Sequence, residues 1–183
     1  SAASDVYKRQ GAQLTINQKD AISAFPYISM FLAVLDIENR HLGWWLSNFI
    51  NILCVCNKGF YTYVDDRKPF NEALNINGLQ YSSYLHITPD MIINALDEGY
   101  YIYVWSDSNI FGDWSPDNKN RHEAHPVLVY GYELEKNNYS VYRFSPGRGL
   151  FTCKYDISDF HKAIKMSKPY IIDHRDDYHI AFI

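Results

Sequence analysis

Cysteine is scarce in this chain, and Cys54, Cys56 and Cys153 are all it has. An odd count without framework spacing excludes a disulfide-stapled secreted scaffold and points to reduced thiols in a cytoplasmic setting. Cys54-Val55-Cys56 is C-x-C rather than the C-x₂-C of a zinc knuckle, and no second pair exists, so a zinc ribbon is excluded. No apolar run reaches the ~20 residues of a helical membrane span, so no membrane partner is expected. Basic runs are missing too. With 17 Lys and Arg against 21 Asp and Glu, the net charge is −4, which argues against a nucleic-acid surface. Internal repeats and low-complexity linkers are also absent. What remains is one domain, and 183 residues suffice for a sizeable core.

The ends stand apart. Asp5-Val6-Tyr7-Lys8-Arg9-Gln10 resembles a translated sequencing adapter, so residues 1–10 are set aside as non-native. Tyr178-His179-Ile180-Ala181-Phe182-Ile183 alternates like a strand and stops with no polar tail. The expectation is a single domain over residues 11–183, truncated at both ends.

Aromatic residues are plentiful, with sixteen tyrosines and ten phenylalanines. Many tyrosines alternate with aliphatic residues, which favours strands. Apolar spacing predicts a helix over residues 17–35, kinked by Pro26, and a second over 38–56, although 52–56 would also suit a strand. Residues 60–64 form a short strand and 65–78 a surface loop. Thr88-Pro89-Asp90 starts a helix with a capping hydroxyl, a proline at the first helical position and an acid. Met91, Ile92, Ala95 and Leu96 give that helix its apolar face, and Gly99 ends it. A strand over 100–107, a polar loop over 108–123 and strands over 124–134, 139–145 and 149–155 follow. A short helix over 158–165, capped by Ser158, and a strand over 178–183 complete the chain. Helices first and an antiparallel sheet afterwards give an α+β class, with N-terminal helices packed on the sheet.

One stretch carries chemistry. In His122-Glu123-Ala124-His125-Pro126-Val127-Leu128-Val129-Tyr130-Gly131-Tyr132 a polar loop delivers a histidine to the mouth of an apolar strand. Gly131 is expected to close that strand into a hairpin. An imidazole there is fixed by the sheet yet faces a cleft. His122 and His125 are three apart in loop-to-strand geometry, unlike the i, i+4 helical pair of zinc proteases, so no metal is expected. Asp107, Asn109, Asp113 and Asp117 lack the glycine and terminal glutamate of a calcium loop. Cys54 and Cys56, in an apolar run, suit small buried hydrophobes. Trp114, in the polar loop, suits an exposed aromatic that touches ligand.

The order of these segments resembles the papain-like fold of C39-type peptidases. More narrowly, it resembles the butirosin-biosynthesis acyltransferase N-terminal family, whose members accompany peptide biosynthetic gene clusters. The likeness rests on Gly99-Tyr100-Tyr101-Ile102-Tyr103-Val104, the polar loop, His125 to Tyr132, Tyr142-Arg143-Phe144 and Tyr155-Asp156-Ile157-Ser158-Asp159-Phe160, and covers roughly residues 40–165. It implies a cysteine thiolate near the start of the first long helix that takes an acyl group from a thioester or amide. It maps the general base onto His125. The Asp or Asn that orients this base maps onto Ser145, before Pro146, where a hydroxyl can hydrogen-bond the ring but contributes no charge. The first predicted helix holds no cysteine, so the nucleophile is expected outside this fragment. An acyl-carrier-bound or peptide substrate would lie under the loop after Asp107, near Trp114 and His122, and no cofactor is implied. The competing expectation is an inactive papain-like module that binds biosynthetic partners or peptide.

Overall fold

The computed structural model describes residues 10–18, 30, 33–34, 52–55, 60–63, 81–84, 86–112, 122–145, 148–167 and 179–182. Strand β1 is Gly11–Gln13, β2 Ile52–Val55, β3 Phe60–Tyr63 and β4 Tyr81–Tyr84. Helix α1 is Pro89–Asp97, β5 Tyr101–Asp107, β6 Ala124–Glu133, β7 Asn138–Ser145 and β8 Gly149–Asp156. Helix α2 is Ile157–Ser167 and β9 is His179–Phe182. Seven strands make one sheet in the order β4-β9-β5-β6-β7-β8, with β1 also on β6, while β2 and β3 pair separately. Every pairing is antiparallel. The α+β class stands, with helices that interleave with strands.

Side chains alternate across a strand, so each strand feeds two cores. Ile102 and Val104 on β5, Val127 and Val129 on β6 and Val141 on β7 meet Ile92 and Leu96 of α1 and Phe160 and Ile164 of α2. Tyr103, Leu128, Tyr130 and Tyr142 face the other way, against Met30 and Ala33. Each fully buried aliphatic side chain contributes about 1.5–3 kcal/mol.

Helix α1 begins as its sequence dictates. Thr88 has extended backbone and its Oγ1 accepts from the Met91 N–H at 3.3 Å, with Pro89 opening the helix. Gly99, at φ 90°, turns the chain into β5. Helix α2 is capped two residues earlier than expected. The Asp156 carboxylate, not Ser158, accepts the backbone N–H groups of Ser158 and Asp159 at 2.8 and 3.3 Å and the Ser158 hydroxyl at 2.6 Å. These donors, the Ser158 hydroxyl foremost, hold the Asp156 carboxyl below its ordinary value.

Two further expectations are corrected, and one open choice is resolved. Gly131 does not close a hairpin; it lies within β6, where the register shifts between Val129 and Gly131. The turn follows at residues 134–137, with Asn137 at φ 50° and its N–H bonded to the Leu134 carbonyl at 3.0 Å. Gly131 is there because β1 passes too close for a side chain: a Cβ would stand 2.7 Å from the Ala12 carbonyl oxygen. The helix over 17–35 does not begin at Asn17, whose N–H donates to the Ala33 carbonyl at 2.6 Å while Leu14 bonds Tyr130. Residues 14–18 thus run on irregularly from β1; Met30 is helical, and most of 19–35 lies outside the described residues. Residues 52–55, open between helix and strand, are strand β2, since Ile52 to Val55 pair with Tyr63 to Phe60; 38–51 and the loop over 65–78 lie outside the described residues.

Strands β1 and β4 escape the sequence patterns. Gln10, in the segment set aside as non-native, accepts from Leu134 N–H at 2.8 Å and extends the β1 pairing. No described helix is long and apolar enough to cross a membrane.

Candidate functional site

The C-terminal end of β5 and the N-terminal end of β6 lie side by side, with Ser106 opposite His125 and Asp107 opposite Ala124. The polar loop leaves and returns at this rim. Two serines fasten it. Ser106 Oγ donates to the His125 carbonyl at 3.2 Å, and Ser108 offers both its hydroxyl, at 3.1 Å, and its N–H, at 3.0 Å, to the Glu123 carbonyl. The paired backbone therefore continues one step past the strand ends before the loop opens.

Asp107 is wholly buried, while the His122 side chain is 25% exposed. Asp107 Oδ2 lies 2.6 Å from His122 Nδ1, and Oδ1 accepts from the Asn109 N–H at 3.0 Å. A buried carboxylate loses several kcal/mol of hydration, which only well-aligned donors offset. An ionised carboxylate can only accept, so Nδ1 carries the proton and Nε2 of the neutral ring carries the lone pair. Asn109 Nδ2 lies 3.5 Å from that Nε2. An imidazole backed by a buried carboxylate and presenting its other nitrogen outward can take up and return a proton.

His125 has a different partner. Its Nε2 lies 3.1 Å from Glu123 Oε2, both side chains about a third exposed at 32% and 31%. Alternation puts His125, opposite Ser106, on the face of α1 and α2 with Val127, and Asp107 on the face of Tyr103. The rim thus holds two carboxylate–imidazole pairs, and the two anchoring side chains project to opposite faces. Ser145 is buried at the end of β7, where its backbone pairs with Gly149. Extending the Val127–Arg143 register two residues sets it across from His125. Among the described residues, however, the hydrogen bond at His125 goes to Glu123 and none joins it to Ser145. Trp114 lies outside the described residues.

Behind the loop sits a cation that sequence reasoning missed. Arg143, 1% exposed, lies 4.8 Å from the Phe111 ring centroid, 5.3 Å from Phe151 and 5.4 Å from Tyr155. Burial lowers its pKa, with Tyr155 and Cys153 opposing; the ring faces supply part of the lost solvation. Phe111 also stacks on Tyr155 at 4.1 Å, which ties the start of the loop to β8. A charged residue in the apolar run Val141-Tyr142-Arg143-Phe144 was the available signal.

Among the cysteines, Cys153 is partly buried on β8, with its Sγ 3.8 Å from the Val141 carbonyl. Burial pushes its thiol up, and nearby Arg143 offsets only part of that. A nucleophile needs the opposite shift. Cys54 lies in β2, and Cys56 lies outside the described residues.

No protein-family model matches the chain. A search of the curated proteins finds no match either. A solved structure described as that of a "putative C39-like peptidase" from Bacillus anthracis is similar, with a TM-score of 0.43 and 12% identity. The similarity covers 69% of this chain and 62% of that one, so less than two thirds of that protein's length is spanned.

Proposed function

We propose that this chain is a papain-like thiol acyltransferase or peptidase domain whose proton transfers run through the rim where β5 meets β6. The observation that carries this reading is the buried Asp107 carboxylate 2.6 Å from Nδ1 of the part-exposed His122. His122 is the general base and Asp107 stabilises the imidazolium that forms. His125, the base implied by resemblance, is the second imidazole of the rim, held by Glu123 with Ser145 across the register. The nucleophile is a cysteine other than Cys153, whose thiol burial keeps protonated. Its thiol gives its proton to Nε2 of His122 and its sulfur attacks the acyl carbonyl. The bond to the leaving group breaks, and that group departs with the same proton. An amine or water then cleaves the acyl-enzyme in the reverse sense. The substrate is an acyl group on a carrier thiol, or a peptide, lying under the loop with Trp114 and His122 beside it.

The test is turnover of acyl-N-acetylcysteamine thioesters and short peptides by the intact protein, with an electrophilic thiol probe in parallel. His122→Ala should lower kcat/KM about 10²- to 10⁴-fold, the worth of a positioned base. If His125→Ala carries that loss and His122→Ala does not, His125 is the base and the assignment of His122 fails. No turnover and no labelled cysteine would sink the enzyme reading. It would leave the second one, an inactive module that binds biosynthetic partners, which the raised thiol of Cys153 and the uncharged Ser145 favour.

A further inference from the structure

We infer that Asn109 is a positioning residue that caps the outward nitrogen of His122 in the resting protein. This deepens the reading of His122 as base and rests on it. Asn109 touches both members of the pair. Its backbone N–H donates to Asp107 Oδ1 at 3.0 Å, and its side-chain nitrogen lies 3.5 Å from His122 Nε2. Asp107 Oδ2 accepts from the Nδ1–H at 2.6 Å. Asp107, His122 and Asn109 thus close a ring of three contacts, with Asp107 at Nδ1 and Asn109 at Nε2 of the imidazole. Asp107 is wholly buried, so packing fixes the carboxylate corner of this ring.

The chemistry fixes the direction of each contact. An ionised carboxylate accepts, so Nδ1 donates and Nε2 is the lone-pair nitrogen. The Asn109 amide meets that lone pair with its NH₂ group, a donor toward an acceptor. In the neutral ring these contacts select one tautomer, with its reactive lone pair covered. A donor on the substrate, thiol or amine, must displace the amide to reach Nε2. When Nε2 is protonated the same amide can turn its oxygen toward the new N–H, so one side chain serves both protonation states. The 3.5 Å separation suits a contact that yields on binding.

The experiment uses the full chain without substrate, so its result is independent of whether thioesters turn over. Two-bond ¹H–¹⁵N spectra of the histidine rings should show His122 protonated at Nδ1 and an acceptor at Nε2. Diethyl pyrocarbonate, which acylates unprotonated ring nitrogens, should modify His122 slowly relative to exposed His86. Asn109→Ala should raise that ratio about three- to tenfold, the population change of one net hydrogen bond. Asn109→Leu, which keeps the bulk and loses the amide, should raise it as well. A proton on Nε2 in the parent protein, or an unchanged ratio in Asn109→Ala, overturns the inference. So does slow modification in Asn109→Leu, which would mean that bulk alone covers the ring.

Discussion

Asp107 and His122 stand 15 residues apart in the chain and 2.6 Å apart in space, one wholly buried and the other a quarter exposed. Antiparallel pairing of β5 and β6 makes this possible, since the strand that ends at Asp107 and the one that begins at Ala124 share a rim. The carboxylate is fixed by the sheet, and the imidazole, one step into the loop, is fixed by the carboxylate.

Asp107→Asn keeps the shape of this pair and removes its charge. The amide competes for the same ring edge and no longer stabilises an imidazolium. Thioester turnover should fall about 10²- to 10⁴-fold, with a smaller change in KM. Asp107→Ala should in addition lower stability by about 1–3 kcal/mol, because the Asn109 N–H and the His122 ring lose their acceptor. Urea unfolding and steady-state kinetics separate the two effects, and full activity in Asp107→Asn would contradict the role.

Gly131→Ala tests the close passage of β1 over β6. The new methyl would meet the Ala12 carbonyl at 2.7 Å and the Gln13 Cα at 3.0 Å, both backbone atoms that cannot rotate away. A loss of about 1–3 kcal/mol is expected, together with faster amide exchange in β1. An unchanged urea midpoint would show that β1 yields without cost.

Cys153 should behave as an inert core thiol. Burial raises its pKa, so the thiolate fraction at neutral pH lies below that of an exposed cysteine. Iodoacetamide mapping at pH 7 should find it the slow site, quickened by urea, and Cys153→Ala should retain turnover. Loss of turnover with an intact fold would make Cys153 a nucleophile.

His161 makes the fold sensitive to acid. Its Nε2 lies 3.2 Å from the Tyr139 hydroxyl, and burial lowers the imidazole below its ordinary value. The unfolded chain therefore binds the proton more readily than the folded one. The stability this provides is complete above the ordinary histidine range near pH 6.5 and falls as the pH drops toward the depressed value. Urea midpoints at pH 8 and pH 5 should differ less in His161→Gln than in the parent protein. An equal drop in both would assign the acid sensitivity elsewhere.

Local chemistry made much of this legible in the sequence. Thr88-Pro89-Asp90 and Gly99 bound α1 because caps are read from neighbours, and β5 to β7 are legible because aliphatic residues line one buried face and mostly tyrosines the other. Long-range contact was harder. Tyr130-Gly131-Tyr132 imitates a turn, and only β1, over a hundred residues upstream, explains a glycine within a strand. Tyr81-Ser82-Ser83-Tyr84 carries too little apolar alternation to announce β4, which owes its state to β9. Asp107, His122 and His125 each stood out by composition and place. That a carboxylate from one strand end would serve His122, and Glu123 rather than Ser145 would serve His125, depended on register and rim geometry that spacing does not encode.

Strand β9 pairs on both flanks, Tyr84 with His179 on one side and Tyr103 with Ile180 on the other. During synthesis, β5 must therefore wait on the ribosome for residues that emerge some eighty positions later, and β4 for residues about a hundred positions later. Until then β5 presents an open edge of unsatisfied amides, the kind of surface that recruits neighbouring chains. Closure of so long a loop is slow. The timing of assembly, more than its final stability, thus makes β9 the point where a shortened chain would be lost to aggregation.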